Sequence, residues 1–261
     1  MQDSICTEGY TQGIRYGILI GNESDLHDKE ECVLFWDTTY LLVLIGVVIS
    51  ALASANVSRT FQKYRNSFAS RGVTAEACAA MILRDAGISD VRITRISGNL
   101  TDHYSPKEKV LRLSDSVYGS SSVAAIGVAA HECGHAIQHH VGYAPLKLRS
   151  LSVPLANIGS KLSWPLILLG LVLGYAGLTE IGILLFSFVL LFQIITLPVE
   201  FNASRRAMTI LGQEGILVGQ EQYGAEKVLR AAAMTYVAAV VSSLLQLLRL
   251  LILTRGNRRR N

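Results

Sequence analysis

The sequence has little charge, few prolines and few aromatic residues for its 261 positions. Only 17% of its residues are charged and 50% are hydrophobic, and its mean hydropathy is +0.36, which excludes a disordered chain and an ordinary soluble domain. Five prolines and the lack of a low-complexity tract exclude a collagen-like or mucin-like chain. A net charge of +4 is too small to indicate nucleic-acid binding. The composition is that of a membrane protein.

Cysteine is also scarce, and its spacing is uninformative. The four cysteines stand in different segments and form no Cys-x-x-Cys pair, which supports neither a disulfide scaffold nor a cysteine-based zinc knuckle. The pairing state of these residues stays open: Cys6, Cys32, Cys78 and Cys133.

Long apolar runs predict about four transmembrane helices, each of which needs about 20 residues. The segments assigned to them are 35–57, a helical hairpin at 162–199, and 231–254. In the hairpin, a turn at Thr179 and Glu180 separates two spans, so both of its ends face one side of the membrane. The last segment contains Gln246 and Arg249, so it is either a tilted span or a partly interfacial helix.

The two ends of the chain are polar. Residues 1–34 form an acidic leader without an evident fold, and residues 255–261 form a basic tail. A cleavable signal peptide would begin with a basic rather than an acidic region, so the first span is predicted to stay as an anchor. Because Lys29-Glu30-Glu31 can be encoded by a ribosome-binding sequence, we hypothesise that translation starts at Val33 or Leu34 and that the leader is not native.

Two polar segments lie between the spans. Residues 58–161 are predicted to form a small α+β domain, and residues 200–230 a polar helical segment on the same membrane face. Capping residues, hydrophobic periodicity and turn residues predict the elements of the domain. They are a helix capped by Thr74 and running to Ala86, strands at Val91–Ile96 and Lys109–Leu113 joined by Asn99–Pro106, and a helix from Ser120–Ser122 to about His140.

The last of these helices contains His131-Glu132-Cys133-Gly134-His135, a match to the HExxH pattern. Histidines four residues apart share one helix face and can bind one zinc ion, while the offset Glu132 can take a proton from a water molecule beside it. Chance would produce roughly 0.006 such matches in a chain of this composition. A predicted core stripe lies on another face of the helix: Ile126, Ala130, Cys133, Ile137 and Val141. The pattern favours catalytic zinc over a purely structural zinc site, which would usually be rich in cysteine.

A third zinc ligand has to come from outside this helix. His139 continues the four-residue spacing, but eight residues of helix place it about 12 Å from His131, too far for a shared zinc ion. Glu200 is the candidate because it opens the polar segment after the hairpin, on the membrane face where the HExxH domain lies. The alternative is a carboxylate favoured only by the dipole at a helix N-terminus.

Four stretches of the chain resemble one protein family. They are Trp36-Asp37-Thr38-Thr39-Tyr40-Leu41, GNLTDHYSP at 98–106, VAAHECGHAIQHH at 128–140, and LPVEFNASRRA at 197–207. On these motifs the chain resembles the YugP-like family of neutral zinc metallopeptidases, which are bacterial multi-pass membrane proteins. More distantly it is similar to the HtpX-type membrane proteases, in which a glutamate after a helical hairpin completes the HExxH site.

The resemblance implies a mainly α membrane protein with a small zincin-like α+β domain, and a zinc ion bound by His131, His135 and Glu200. The HtpX-type relatives have aspartate where this chain has Ser204, which leaves the partner of the metal ligands open. His103 is a candidate for stabilising the oxyanion, with competitors Tyr104 and Arg205. Alternatively, His103 and the preceding Asp102 only cap their turn through side-chain hydrogen bonds.

The sequence therefore predicts a membrane-bound zinc metalloendopeptidase in which Glu132 is the general base, acting on protein or peptide substrates at the bilayer. A non-catalytic zinc-containing membrane scaffold is the alternative, and a transporter is disfavoured because the spans contain almost no ionisable residues. Thirteen Lys or Arg residues between Arg59 and Lys161 place the active-site domain in the cytoplasm by the positive-inside rule. The arginines of the basic tail conflict with this topology if all four spans cross. Partner proteins in the membrane cannot be identified from the sequence.

Overall fold

The computed structural model describes residues 38–258. The predictions for the acidic leader, its translation start, Cys6 and Cys32, and the end of the basic tail lie outside these residues. The chain divides into two compact units between Leu41 and Leu42, and all elements described below lie in the second, apart from the first two residues of the first helix. The helices are α1 (Tyr40–Arg65), α2 (Ala75–Asp85), α3 (Val123–His140), α4 (Ala144–Val172), α5 (Ala176–Gln213) and α6 (Gln220–Arg258), and the strands are β1 (Arg92–Ile96), β2 (His103–Ser105) and β3 (Val110–Ser114).

Four of the described helices, α1, α4, α5 and α6, are long and apolar enough to cross a membrane. The remaining elements form a small α+β unit, so the predicted class, a mainly α membrane protein with a small α+β domain, is confirmed. The helix at the end of the chain runs from Gln220, well before the predicted start of the last span.

The predicted turn of the helical hairpin is wrong. Thr179 and Glu180 lie inside α5, and the chain reverses at residues 173–175, where Gly174 has a φ of +65°. This left-handed conformation is easy for glycine and strained for other residues. Thr179 packs closely against Gly170 of α4, so a residue that looked like a polar turn instead contacts the neighbouring helix.

Glu200 does not open a polar helix, as the sequence had suggested. It lies deep inside α5, which continues unbroken from its apolar part to Gln213. A helix dipole acts within the first and last turns, so the alternative explanation of Glu200 as a carboxylate at a helix N-terminus is also wrong.

The two predicted strands are confirmed, and a third short strand lies between them. The sheet order is β1-β3-β2, with β1 parallel and β2 antiparallel to β3. Strand β2 is within the segment that was predicted only to connect the other two. The buried β3 forms the centre of the sheet, so β1 and β2 are its two edge strands, and β2 is the edge strand next to the metal group.

Helix α3 begins and ends as its sequence predicts. The Ser122 hydroxyl accepts a hydrogen bond from the Ala125 N–H at 3.2 Å, and the chain turns away at Gly142, where φ is +66°. The predicted core stripe is buried except for Val141, which is 56% exposed because it follows the last residue of the helix. In α2, Thr74 occupies the N-cap position, but within the described chain its side chain makes no capping bond.

The core surrounds α3, which packs against α2, α5 and α6. Cys78 and Cys133 are free and fully buried in this core. Burial raises the pKa of the Cys78 thiol to about 12 and that of Cys133 well above its ordinary value. Both thiols therefore stay protonated and take the role of small apolar residues.

The contact between α3 and α5 depends on Gly134, the fourth residue of the HExxH motif. A Cβ atom at this position would lie 2.6 Å from the carbonyl oxygen of Ala203 in α5. We expect Gly134→Ala to reduce the free energy of unfolding by about 1–3 kcal/mol, because the gain in helix propensity is smaller than the cost of separating two packed helices.

Thermal unfolding of the detergent-solubilised protein, followed by circular dichroism, measures this effect. Gly127→Ala is the matched control, because it lies on the same helix and its new methyl group would come no nearer than 3.2 Å to its closest neighbour, the Cβ atom of Ala225. A melting temperature for Gly134→Ala equal to or above that of Gly127→Ala would contradict the prediction.

Candidate metal centre

Helices α3 and α5 bring together the three predicted metal ligands. The Nε2 atoms of His131 and His135 lie 3.3 Å and 3.5 Å from Oε2 of Glu200. The two imidazole rings are one helical turn apart, with their centroids separated by 4.7 Å and their planes at 83°. All three ligand atoms lie within 4.8 Å of one another. This group could hold a metal ion.

The distances fit a zinc ion. Zinc binds nitrogen and oxygen ligands at about 2.0–2.2 Å in tetrahedral geometry, which separates neighbouring ligand atoms by about 3.4 Å. Glu200 is 2% exposed, and its Oε2 atom has no hydrogen-bond partner among the described residues. Burying a carboxylate oxygen without a partner costs free energy, and a cation bound at this atom would offset that cost.

Both histidines are oriented through their Nδ1 atoms. The Ser204 hydroxyl lies 3.1 Å from Nδ1 of His131, and Oε1 of Gln138 lies 3.0 Å from Nδ1 of His135. An Nδ1–H donated to each oxygen leaves Nε2 unprotonated and directed at the metal position. Ser204, whose place as partner of a metal ligand the sequence had left open, thus contacts the predicted ligand His131.

Gln138 is a site residue that the sequence analysis missed. It is fully buried, and its Nε2 donates to the Val199 carbonyl at 2.8 Å and to Oδ1 of Asn202 at 3.0 Å. It therefore joins a ligand of α3 to the segment of α5 around Glu200. Its position three residues after His135, on the same helix, was the available signal.

Glu132 is held beside the ligands by the edge strand. The backbone N–H of Tyr104 in β2 donates to Oε2 of Glu132 at 2.9 Å, and Glu132 is 8% exposed. The Tyr104 hydroxyl forms a hydrogen bond with Nδ1 of His139, also at 2.9 Å. His139 therefore contacts the edge strand rather than completing the metal group.

Asp102 hydrogen-bonds to strand β3, and His103 hydrogen-bonds within its own turn. The Asp102 carboxylate accepts from the Ser114 N–H at 2.7 Å and from the Ser114 hydroxyl at 2.8 Å. Burial raises the pKa of Asp102 above its ordinary value, and the nearby charge of Glu132 adds to the rise, against the Ser114 bonds. His103 is exposed, and its Nδ1 lies 2.9 Å from the Thr101 carbonyl oxygen. The local turn bond expected for this pair is present for His103 only, since Asp102 contacts β3 instead, and the role of His103 toward an oxyanion stays a prediction.

Two cavities, of about 330 and 320 Å³, meet at the metal ligands. Both are lined by Asp102, His131, Glu132, Glu200 and Tyr236.

The second cavity also contains His103, Tyr104 and Arg149, and an Arg149 guanidinium nitrogen lies 3.5 Å from Oε1 of Glu200. Arg205 is not one of the described residues that line these two cavities. Tyr236 was missed from the sequence because it lies in a span that was assigned by its hydropathy alone, and Arg149 was missed because it follows the last element predicted for the α+β domain.

Four apolar helices and a His-His-Glu group with a buried glutamate are features of a membrane protein that could hold a zinc ion. The model of the family described as "Putative neutral zinc metallopeptidase" matches residues 39–255, and the chain belongs to this family. It is 44% identical over 220 residues to "Putative membrane protease YugP" of Bacillus subtilis (strain 168), over 84% of this chain and 98% of that protein. No solved structure matches the chain. The predicted family and its zinc cofactor are confirmed.

Proposed function

We propose that the protein is a membrane-bound zinc metalloendopeptidase of the HExxH-plus-glutamate type. The observation that carries the proposal is the position of Glu132, a carboxylate held by a strand N–H beside the His131, His135 and Glu200 group. A purely structural zinc site does not need such a neighbouring carboxylate.

His131, His135 and Glu200 would hold the zinc ion. When bound, zinc supplies the Lewis acid that polarises a water molecule and the peptide carbonyl. Glu132 takes the proton of the attacking water and passes it to the nitrogen of the leaving amine. The Tyr104 N–H keeps the Glu132 carboxylate oriented toward the ligands, and Gln138 and Ser204 keep the two imidazoles in place.

His103 remains the proposed donor to the developing oxyanion, since it lines the second cavity together with the metal ligands. Tyr104 and Arg149 line the same cavity and are the competing donors. Arg205 is a weaker candidate because it is exposed and is not among the residues that line this cavity in the described chain.

The substrate would be a protein or peptide segment near the bilayer, and the positive-inside rule supports a cytoplasmic position for the active-site domain. The chain also contains four apolar helices, which supports a permanent position in the lipid bilayer.

Metal removal tests the proposal directly. Protein purified in detergent is expected to contain one zinc ion per chain by elemental analysis and to hydrolyse casein. Treatment with 1,10-phenanthroline should remove both the zinc and the activity, and added zinc should restore both. Bound zinc without hydrolysis of casein or of other unfolded proteins would favour the scaffold alternative and contradict the peptidase.

A further inference from the structure

The first cavity is formed largely by membrane helices and extends from the metal ligands toward α1 and α6. Its walls beyond the ligands carry aliphatic and phenyl groups from three helices. They are Val57 and Phe61 of α1, Val128 of α3, and Val228, Leu229 and Ala232 of α6. At about 330 Å³ the cavity is well above the roughly 150 Å³ in which an apolar cavity already holds a benzene ring. Its size and its walls therefore suit a large apolar side chain.

The cavity also reaches the atoms proposed to carry out the reaction. Glu132, His131 and Glu200 lie in its wall, so a side chain that fills it belongs to a residue close to the bond being cleaved. The second cavity shares these residues but is also lined by Arg149 and His103, so the parts of a peptide that enter the two cavities would meet different surroundings. The two sides would therefore select different residues of the substrate.

We propose that the first cavity binds an aliphatic or aromatic side chain of the substrate residue adjoining the scissile bond, and that Ala232 sets the depth of this pocket. The inference rests on the proposed peptidase function and defines its substrate class, which is a segment with a large apolar residue at the cleavage site. Differences of a methylene group or more in such a pocket change kcat/KM by about 10–200-fold.

Two variants should change the preference for a large apolar residue at the cleavage site, and they should do so in opposite directions. Ala232→Phe fills the cavity, so kcat/KM for peptides with Leu or Phe at the cleavage site should fall at least about tenfold relative to peptides with Ala. Val57→Ala widens the cavity on the side of α1. The kcat/KM for peptides with Phe at the cleavage site should therefore rise relative to that for peptides with Leu. The probes are synthetic 14-residue peptides that differ only at the two residues flanking one bond, with products sequenced by mass spectrometry.

Met234→Phe is the matched control, because Met234 lies on the same helix as Ala232 and is 43% exposed, and it is not among the described residues that line this cavity. Its preference should equal that of the wild type. An unchanged preference in both Ala232→Phe and Val57→Ala, with active enzyme, would overturn the pocket while leaving the peptidase intact.

Binding provides a readout that does not depend on hydrolysis. In the Glu132→Gln background, fluorescence anisotropy with fluorescein-labelled Leu and Ala peptides should show tighter binding of the Leu peptide, and Ala232→Phe should abolish the difference. Equal affinity for both peptides would contradict the pocket. Absence of cleavage by the wild type, together with a retained Leu preference in binding, would contradict the proposed function and support the pocket.

Discussion

Replacing Glu132 by glutamine is expected to lower the rate of peptide hydrolysis by about 10²–10⁴-fold while the zinc content stays at that of the wild type. Glutamine keeps the size of the side chain and can still accept the Tyr104 N–H bond seen at 2.9 Å. It cannot take the proton of the attacking water. Since Glu132 is not in the His131, His135 and Glu200 group, metal binding should not change. Casein hydrolysis and elemental analysis of one preparation measure both quantities.

Glu226→Gln is the matched control for this loss of charge, because Glu226 is exposed on α6, outside the set of described residues that line the two cavities. It should retain full activity. Substantial hydrolysis by Glu132→Gln would exclude Glu132 as the general base. Loss of zinc from Glu132→Gln would indicate that this carboxylate contributes to metal binding instead.

Glu200→Ala is expected to lose zinc and activity together. The substitution removes the buried Oε2 atom that lies 3.3 and 3.5 Å from the two histidine Nε2 atoms. Loss of a partner that merely orients a ligand lowers metal affinity by about 10–100-fold, and loss of a ligand itself should lower it by more. Titration with zinc against a chelating indicator measures the dissociation constant.

Glu214→Ala serves as the control, since Glu214 is exposed just after the end of the same helix. Circular dichroism and size-exclusion chromatography in detergent should show that both variants remain folded. Wild-type zinc affinity in a folded Glu200→Ala protein would show that the third ligand is another residue.

The sequence predicted those parts of the fold in which one local pattern determines an element. Helix α3 has a capping serine and a periodic apolar stripe, and the cap and all of the stripe except Val141 occur where they were expected. The hairpin turn was misplaced because hydropathy is nearly continuous across it, so the polar pair Thr179-Glu180 was preferred over Gly174. Strand β2 was missed because three residues are too few to show an alternating pattern.

In the site, too, features within one helix could be predicted, and contacts between distant segments could not. The spacing of His131 and His135 is a local property of one helix and could be predicted without a fold. The bonds of Gln138 to α5 and the bond of the Tyr104 N–H to Glu132 depend on which elements meet, so neither could be recognised from the sequence alone. Glu200 was found for a partly incorrect reason, because the change from apolar to polar residues marks where α5 becomes polar rather than where a helix starts.

The division of the proposed ligands between α3 and α5 has a consequence for biosynthesis. The hairpin separates them in the chain, so a ribosome completes the HExxH helix well before α5 is available. Until α5 is in place against Gly134, the nascent chain has two histidines and no Glu200, and hence an incomplete centre. On the function proposed above, the metal centre, and with it the hydrolytic activity, would therefore form only after α5 has packed against α3.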